Sequence, residues 1–244
     1  QWEVSQVTTM TYMFYEAATF NQSLNNWNVS QVTDMSFMFA GAVNFNQPLN
    51  QWEVSQVTTM EQMFARASSF NQPLASWNVS RVTNMAGMFK DAASFDQPLG
   101  AWNVSQVTTM ADMFNGIALS TANYDDLLIG WATLSLQEGV YFDAGNSRCS
   151  SAALSARTYI ITTFKWTIID GTENETTTET TTGESTHSTT QNSTETTTAG
   201  PTDSTNTNLS YNTTASTSAA FNFSSLMPLA GLLLLAAIII RRRH

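Results

Sequence analysis

The sequence predicts an α/β solenoid of stacked strand–short helix units with a C-terminal α/β cap, followed by a disordered stalk and one transmembrane helix. The main observation is a run of near-copies of W-[EN]-V-S-x-V-T-x-M-x-x-M-F that repeats every 25 residues. The copies open at Trp2, Trp27, Trp52, Trp77 and Trp102. A fixed period of about 20–50 residues is typical of repeat proteins, which stack their units to bury one continuous core. The other two observations are a Ser/Thr-rich tract after Gly171 and a final apolar run ending in arginines.

Composition argues against nucleic acid as a partner. The net charge is −10, and charged residues make up only 11% of the chain. Outside the arginines at 241–243 there are six basic residues, and they form no basic patch. Cys149 is the single cysteine, so an intrachain disulfide cannot form. Because residue 1 falls inside a repeat, we expect a fragment or a processed form with an N-terminally truncated array.

Each unit of the array, residues 1–120, predicts a strand and then a short helix. In the second unit, Leu24, Trp27 and Val29 follow an L-x-x-L-x-L spacing, and alternation predicts a strand over 27–30 with Trp27 and Val29 facing inward. Thr33 is a good helix N-cap. In the first unit, Thr8 takes this place before an i, i+3, i+4, i+7 stripe that predicts one face of a short helix. The stripe consists of Met10, Met13, Phe14 and Ala17.

The F-N-Q-[SP]-L phrase is expected to return the chain to the next unit. Pro48, Pro73 and Pro98 favour a turn or extended link there and oppose a helix. Successive strands would lie about 4.8 Å apart in a parallel sheet, which makes five units roughly 25 Å long.

The FNQPL, WNVS-x-VT-x-M and MF-x-x-A phrases, with NYDDLLIG at 123–130, resemble the leucine-rich-repeat-type units of BspA-like bacterial surface proteins. The resemblance covers roughly residues 1–170. It implies a cell-surface protein, since several members are linked to adhesion to host or matrix proteins. It implies no enzyme activity, no shared catalytic residues and no particular ligand.

The tryptophan and methionine columns are expected to form the core. A row of exposed tryptophans could stack on sugars, but Trp27 and Val29 share strand parity and occupy core positions of the repeat. Regularly spaced methionines could bind a soft metal, but each lies beside a Phe at helical spacing and is better explained as core packing.

The outward strand row is the candidate ligand-facing surface. A parallel sheet would align these residues, flanked by serines, as a polar stripe. The alternative is a solvated Asn/Ser ladder with no ligand. The row consists of Glu3, Asn28, Glu53, Asn78 and Asn103.

Three members of this row are also N-V-S glycosylation sequons. They are Asn28, Asn78 and Asn103. Asn78 and Asn103 would lie about 5 Å apart on adjacent strands, which is too close for two glycans to fit easily.

The repeat phrase ends after Phe114, and residues 121–170 are expected to cap the array. The segment predicts helices over 123–132 and 151–163 and strands over 140–142 and 166–169. Asp125 and Asp126 are expected in the first helical turn, where the helix dipole favours acids. A dissimilar terminal unit is expected because an exposed solenoid edge promotes aggregation.

The sequence predicts no catalytic, cofactor-binding or metal-binding residues. His187 and His244 are the only histidines, and both lie outside the expected domain. Cys149 therefore has no histidine partner there, and no phosphate loop, C-x-x-C or G-x-S-x-G is present. A glycosidase using carboxylates alone stays open on this argument, but nothing in the sequence indicates one.

Residues 171–225 predict a disordered, glycosylated stalk. The tract is rich in Ser and Thr and lacks basic residues, so it cannot bury enough apolar surface to fold. Fully extended, it could span up to roughly 170 Å. The alternative is a plain flexible linker. Its candidate N-glycosylation sites are Asn174, Asn192, Asn208, Asn212 and Asn222.

Residues 226–240 predict a transmembrane helix, and residues 241–244 a cytoplasmic basic tail. The apolar run extends back towards Ala219, which gives the length that a bilayer needs. The arginines place the repeats outside by the positive-inside rule. A cleaved surface-sorting tail or a lipid-anchor signal would also end at the cell surface.

These features predict a cell-surface recognition or adhesion protein that binds an extracellular protein or glycan through the array. The alternative is a structural envelope or coat component that makes lateral contacts and has no soluble ligand.

Overall fold

The computed structural model describes residues 2–172. Within this range, the repeats follow one another in register through single-residue parallel bridges. The bridges run from Thr9 to Asp34, Thr59, Asn84 and Thr109 in turn, each step being one 25-residue period. Apart from Gly171 and Thr172, the predicted stalk lies outside the described residues, as do its glycosylation sites, the predicted transmembrane helix and the basic tail.

The repeats contain turns in place of the predicted short helices, which corrects that expectation. In the first repeat, the N–H groups of Met13 and Ala17 donate to the carbonyls of Met10 and Phe14, three residues back. These contacts close two β-turns, and the third residue of each is left-handed, with φ of 61° at Tyr12 and 53° at Glu16. A left-handed residue at these positions is incompatible with an α-helix.

The N–H groups between these turn bonds are satisfied by the next repeat. Tyr12 N donates to Ser36 O at 3.1 Å, and Phe14 N donates to Met38 O at 2.8 Å. Alternate amides along the segment therefore join neighbouring repeats, while the amides between them close turns. Since each buried N–H finds a partner in this way, no helix is required.

The strand predicted over 27–30 and the threonine helix caps are also wrong. Within residues 2–119 the structure has only isolated bridges, and they lie at the Thr9 column and at Met110, not at the tryptophans. Thr33 Oγ1 does not cap a helix. It donates to Thr8 O of the preceding repeat at 3.2 Å, as Thr58 does to Thr33.

Aromatic and methionine columns form the core, as predicted. Phe39, Phe64 and Phe89 stack face to face with centroids 5.5 and 5.7 Å apart. A second column lies beside the first and consists of Phe45, Phe70 and Phe95, whose ring centroids are 5.9 and 6.2 Å apart. The interior methionines from Met35 to Met113 are fully buried, filling the space between the columns.

The tryptophans differ along the column. Trp52, Trp77 and Trp102 are at most 4% exposed. The indole N–H of Trp77 donates to Leu49 O of the preceding repeat at 3.0 Å, and the other two make the same bond. Trp27 is only half-buried, and Trp2 is 49% exposed and stacks on it at 5.9 Å. The core position is therefore confirmed for the last three.

An asparagine column crosses the F-N-Q phrase. Asn46 Oδ1 accepts from the backbone N–H of Asn71 at 3.0 Å and from the side chain of Gln72 at 2.9 Å. Asn21 and Asn71 make the same pair of contacts to the repeats that follow them. Each asparagine thus ties its repeat to the next.

After the repeats come helix α1 (Thr121–Trp131), strand β1 (Tyr141–Asp143), helix α2 (Leu154–Phe164) and strand β2 (Thr167–Ile169). All four lie close to their predicted positions. The strands pair in parallel, with Phe142 opposite Ile168. A bridge from Met110 to Phe142 carries the ladder of the repeats into this pair. Neither helix has the length and hydropathy that a membrane crossing requires.

Side chains on α1 copy contacts of the repeats. The indole of Trp131 donates to Leu99 O at 3.2 Å, in the manner of the repeat tryptophans. Asp125 and Asp126 do not lie in the first turn, which corrects that expectation, because α1 begins at Thr121 with Ser120 as its N-cap. They accept hydrogen bonds from Ser150 and from Gly100 N instead.

A buried ion pair joins α2 to the end of β2. Arg157 binds Asp170 through Nε at 2.8 Å and Nη2 at 3.0 Å. The phenol of Tyr124 donates to the same carboxylate at 2.6 Å. Burial, followed by this hydrogen bond, raises the pKa of Tyr124 far above its usual range, so the phenol stays a donor. The three groups lock α1, α2 and β2 together.

Candidate functional site

The predicted ligand-facing row is exposed, but its side chains are occupied locally. Each carboxylate or amide oxygen accepts a hydrogen bond from the backbone N–H of the serine two residues later. The acceptors are Glu3, Asn28, Glu53, Asn78 and Asn103, at 2.8–3.2 Å. The pKa of Glu3 is held below its usual value by its contacts with Ser5. The row therefore shapes the backbone as well as facing solvent.

Two members of the row line a cavity between the second and third repeats. The cavity has a volume of about 260 Å³ and is open to solvent. Asn28 and Glu53 are joined there by three further polar side chains and two apolar ones. The full lining is Asn25, Asn26, Trp27, Asn28, Val29, Gln51 and Glu53. Asn78 and Asn103 are not among these residues.

A second surface, which we call the turn strip, is formed by three columns of residues in the two β-turns of each repeat, and is exposed or half-buried except at Ala40, Ala65 and Gly87. Two of its three columns are left-handed, with φ between 50° and 83°. In repeat order, the strip consists of Tyr12, Tyr15 and Glu16; Phe37, Ala40 and Gly41; Gln62, Ala65 and Arg66; Gly87, Lys90 and Asp91; and Asp112, Asn115 and Gly116.

The first two repeats give the turn strip an aromatic end. Tyr12 and Phe37 stack with centroids 4.8 Å apart, and Tyr15 contacts Tyr12 edge-on at 5.4 Å. Tyr12 is 53% and Tyr15 42% exposed. Left-handed φ is uncommon for bulky residues, so Tyr12 and Phe37 place rings on the surface at a cost in backbone strain.

The middle of the turn strip holds an ion pair that spans three repeats. Arg66 Nη2 lies 3.3 Å from Glu16 Oε1, although the two are 50 residues apart. The pair passes over Gly41, where an added Cβ would lie 3.0 Å from Glu16 Cγ. Both ends are exposed, so the pair orients side chains more than it stabilises the fold.

The last two repeats make the other end of the turn strip acidic. Lys90 Nζ binds Asp112 Oδ2 at 2.8 Å. This hydrogen bond, with the charges of Asp112, Asp91 and Asp143, outweighs burial and raises the pKa of Lys90. The turn strip thus changes from aromatic to acidic along the array, while the predicted row varies only between Asn and Glu.

The turn strip was not predicted from the sequence as a site. The signal available was variation between the copies at these positions, which the buried phenylalanine and methionine columns do not show. What the sequence did not show was that these positions are left-handed. The exposure of the aromatic end depends on that conformation.

Other candidate chemistry is sparse in the described part of the chain. Between residues 2 and 172, no three His, Cys, Asp or Glu side chains are grouped so that they could hold a metal ion. Cys149 is a half-buried free thiol whose Sγ lies 3.6 Å from the Thr172 hydroxyl.

One family model matches this chain twice, over residues 1–83 and 49–135, and is described as "Mycoplasma protein of unknown function, DUF285". The two matches overlap and together cover the repeat array and helix α1. Among characterised proteins and among solved structures, none matches the chain.

Proposed function

Since the chain belongs to the DUF285 family, whose description assigns no activity, we propose from its own surfaces that it is a cell-surface recognition or adhesion protein. In this proposal, the repeats form a solenoid of the leucine-rich-repeat type, like that of BspA-like proteins. They bind a protein or glycan through the side of the stacked repeats. The sequence of residues 171–244 supports a stalk and a membrane or surface anchor that hold the repeats outside the cell.

The observation that carries this proposal is the turn strip. Hydrogen bonds between successive repeats fix its side chains at a regular spacing, and its chemistry changes from aromatic to acidic along the array. Exposed aromatic rings with low side-chain entropy are the residue type enriched at binding hot spots. Tyr12 and Phe37 have strained left-handed backbone conformations, and backbone strain of this kind is common at functional sites.

A binding screen of the full chain against immobilised matrix proteins and mucin-type glycans tests the proposal. We expect at least one of them to bind. The double variant Tyr12→Gly/Phe37→Gly removes both rings and copies Gly87, the natural residue of the same column. Loss of a hot-spot pair should weaken binding roughly 30-fold or more.

Gln62→Gly is the matched control, because it lies in the same column at φ 50° and carries no ring. It should leave binding unchanged. If binding is lost only in the triple variant Asn28→Ala/Glu53→Ala/Asn78→Ala, the ligand binds the predicted row and not the turn strip. Self-assembly of the chain into arrays without any bound ligand would overturn recognition in favour of a structural coat component.

A further inference from the structure

We propose that the cavity between the second and third repeats binds a single neutral saccharide ring. The inference rests on the recognition function proposed above and names a ligand class for a surface other than the turn strip. The volume of about 260 Å³ falls below the range of roughly 300–1,000 Å³ usual for drug-sized ligands. One sugar residue at the end of a glycan suits this size better than an oligosaccharide does.

Part of the cavity wall is held in place by hydrogen bonds within the protein. Asn25 donates to Asn50 Oδ1 at 3.1 Å and accepts from Gln51 N at 3.0 Å. Asn28 Oδ1 and Glu53 Oε1 accept from the serines that follow them. These bonds orient the side chains before any ligand arrives, which lowers the entropy lost on binding.

Other polar groups of the lining have no hydrogen-bond partner among residues 2–172. They are the side-chain amides of Asn26 and Gln51, the Nδ2 of Asn28 and the second carboxylate oxygen of Glu53. Amides both donate and accept, as sugar hydroxyls do, so each can exchange two hydrogen bonds with a saccharide.

The charge and the apolar surface of the lining residues restrict the kind of ligand that can bind in the cavity. Glu53 is the only charged group and no cation lines the cavity, so phosphate, sulfate and uronic acids would be repelled. The half-buried indole of Trp27 adds apolar surface against which the C–H groups of a sugar ring can pack, whereas Val29 is only 1% exposed. Trp27 is half-buried, unlike its fully buried counterparts in the next three repeats.

The side chains in the columns that form the wall become shorter beyond Asn50 and Gln51. The column of Asn26 continues as Gln51, Ser76 and Ala101, and the column of Asn25 continues as Asn50, Ala75 and Gly100. Among residues 2–172, long amides of the Asn26 column therefore face each other only between the second and third repeats. Later repeats supply natural substitutions that should remove the wall without disturbing the stack.

Saturation-transfer NMR on the full chain tests the proposal with methyl glycosides of glucose, galactose, mannose, N-acetylglucosamine and N-acetylgalactosamine. We expect transfer to at least one of them, and a titration then measures its Kd. Asn26→Ser and Gln51→Ala, which copy Ser76 and Ala101, should each weaken binding roughly three- to tenfold, as loss of one or two hydrogen bonds would.

Asn28→Ala and Asn78→Ala form a matched pair. Both lose the same bond to a serine N–H, at 3.1 and 3.2 Å, but only Asn28 lines the cavity. Binding should weaken in Asn28→Ala alone. Equal loss in both variants, or no transfer from any of the five glycosides, would overturn the site.

Three further outcomes distinguish a failure of the saccharide site from a failure of the recognition function on which it rests. Tighter binding of methyl glucuronide than of every neutral glycoside would refute the ligand class. If the Tyr12→Gly/Phe37→Gly variant still binds the saccharide but no longer binds the macromolecular ligand, the saccharide site and the macromolecular site lie on different surfaces. A macromolecular ligand without any saccharide binding would refute the cavity and leave the proposed function standing.

Discussion

At the scale of single residues, Asp96 shows how one change ends the array. It stands in the column of Asn21, Asn46 and Asn71, which each bond the following repeat. Asp96 Oδ1 instead accepts from Ser120 N at 2.8 Å, from the Ser120 hydroxyl at 3.0 Å and from Asn123 Nδ2 at 2.8 Å. These donors surround the N-terminus of α1, where a negative charge is favoured. A carboxylate suits that position better than an amide.

Asp96 should therefore make stability depend on pH. Burial alone would raise its pKa, but the hydrogen bonds from Asn123 and Ser120 outweigh it, and the pKa lies below its ordinary value of 3.8. A lowered folded-state pKa contributes stability above the unfolded pKa that is lost as the pH falls through the folded pKa. We expect Asp96→Asn to cost about 1 kcal/mol at pH 7 and progressively less below pH 4.

Urea denaturation of wild type and Asp96→Asn at pH 7 and pH 3 measures this difference. Asn71→Asp is the control, because Asn71 faces the next repeat and no helix N-terminus. The Asn71→Asp substitution should not increase the free energy of unfolding at pH 7. An unchanged gap between wild type and Asp96→Asn across this range would show that the Asp96 carboxylate is not the titrating group.

At the scale of elements, α1 docks on the last repeats through backbone contact at two glycines. A Cβ added to Gly100 would lie 2.3 Å from Asp126 O, and one added to Gly130 would lie 2.2 Å from Gly100 O. Gly100 N also donates to Asp126 Oδ2 at 2.8 Å. Earlier repeats carry Ala75 and Asn50 in the Gly100 column, since no helix approaches them. The glycine belongs to the end of the array.

Gly100→Ala should push α1 away from the repeats and destabilise the fold by roughly 1–3 kcal/mol, as overpacking does elsewhere. The indole of Trp131, bonded to Leu99 O, reports the shift through its fluorescence. Ala75→Gly is the comparison: it lies in the same column, is exposed, and should cost less than about 1 kcal/mol. Similar losses in both would mean that α1 docking does not depend on this contact.

At the scale of the whole molecule, stability is built between neighbours. Each repeat contacts the one before and the one after through phenylalanine stacks, turn amides and the asparagine column. Contacts of this kind make repeat proteins behave as a chain of coupled units. The ladder continues through β1 to β2, and the buried Arg157–Asp170 pair secures it there. A destabilising substitution in a central repeat should therefore weaken the repeats on both sides of it. One in a terminal repeat should weaken only the repeats on its inner side.

Phe64→Ala tests this coupling. Phe64 stacks on Phe39 at 5.5 Å and on Phe89 at 5.7 Å, so its loss should cost about 3–5 kcal/mol. Hydrogen exchange should then speed up in the second and fourth repeats as well as the third. Phe14→Ala, at a half-buried position, should cost less and affect mainly the first two repeats. A uniform loss of protection in both variants would contradict nearest-neighbour coupling.

The sequence by itself determined the 25-residue period, the buried methionine columns with the phenylalanine column that begins at Phe14, and the approximate positions of α1, β1, α2 and β2. Identical apolar residues at a fixed interval require in-register stacking, and the loss of the repeat phrase after Phe114 marks where another kind of structure begins.

Only the tertiary structure decided the backbone of each repeat and the surfaces that follow from it. The Met10, Met13, Phe14, Ala17 spacing that predicts a helix equally fits two successive β-turns, because both arrangements place these residues on one side. The next repeat supplies carbonyls 24 residues ahead, so alternate amides bond between repeats and the left-handed positions become possible. The turn strip, and the cavity walled by side chains of two repeats, exist only once those repeats are stacked.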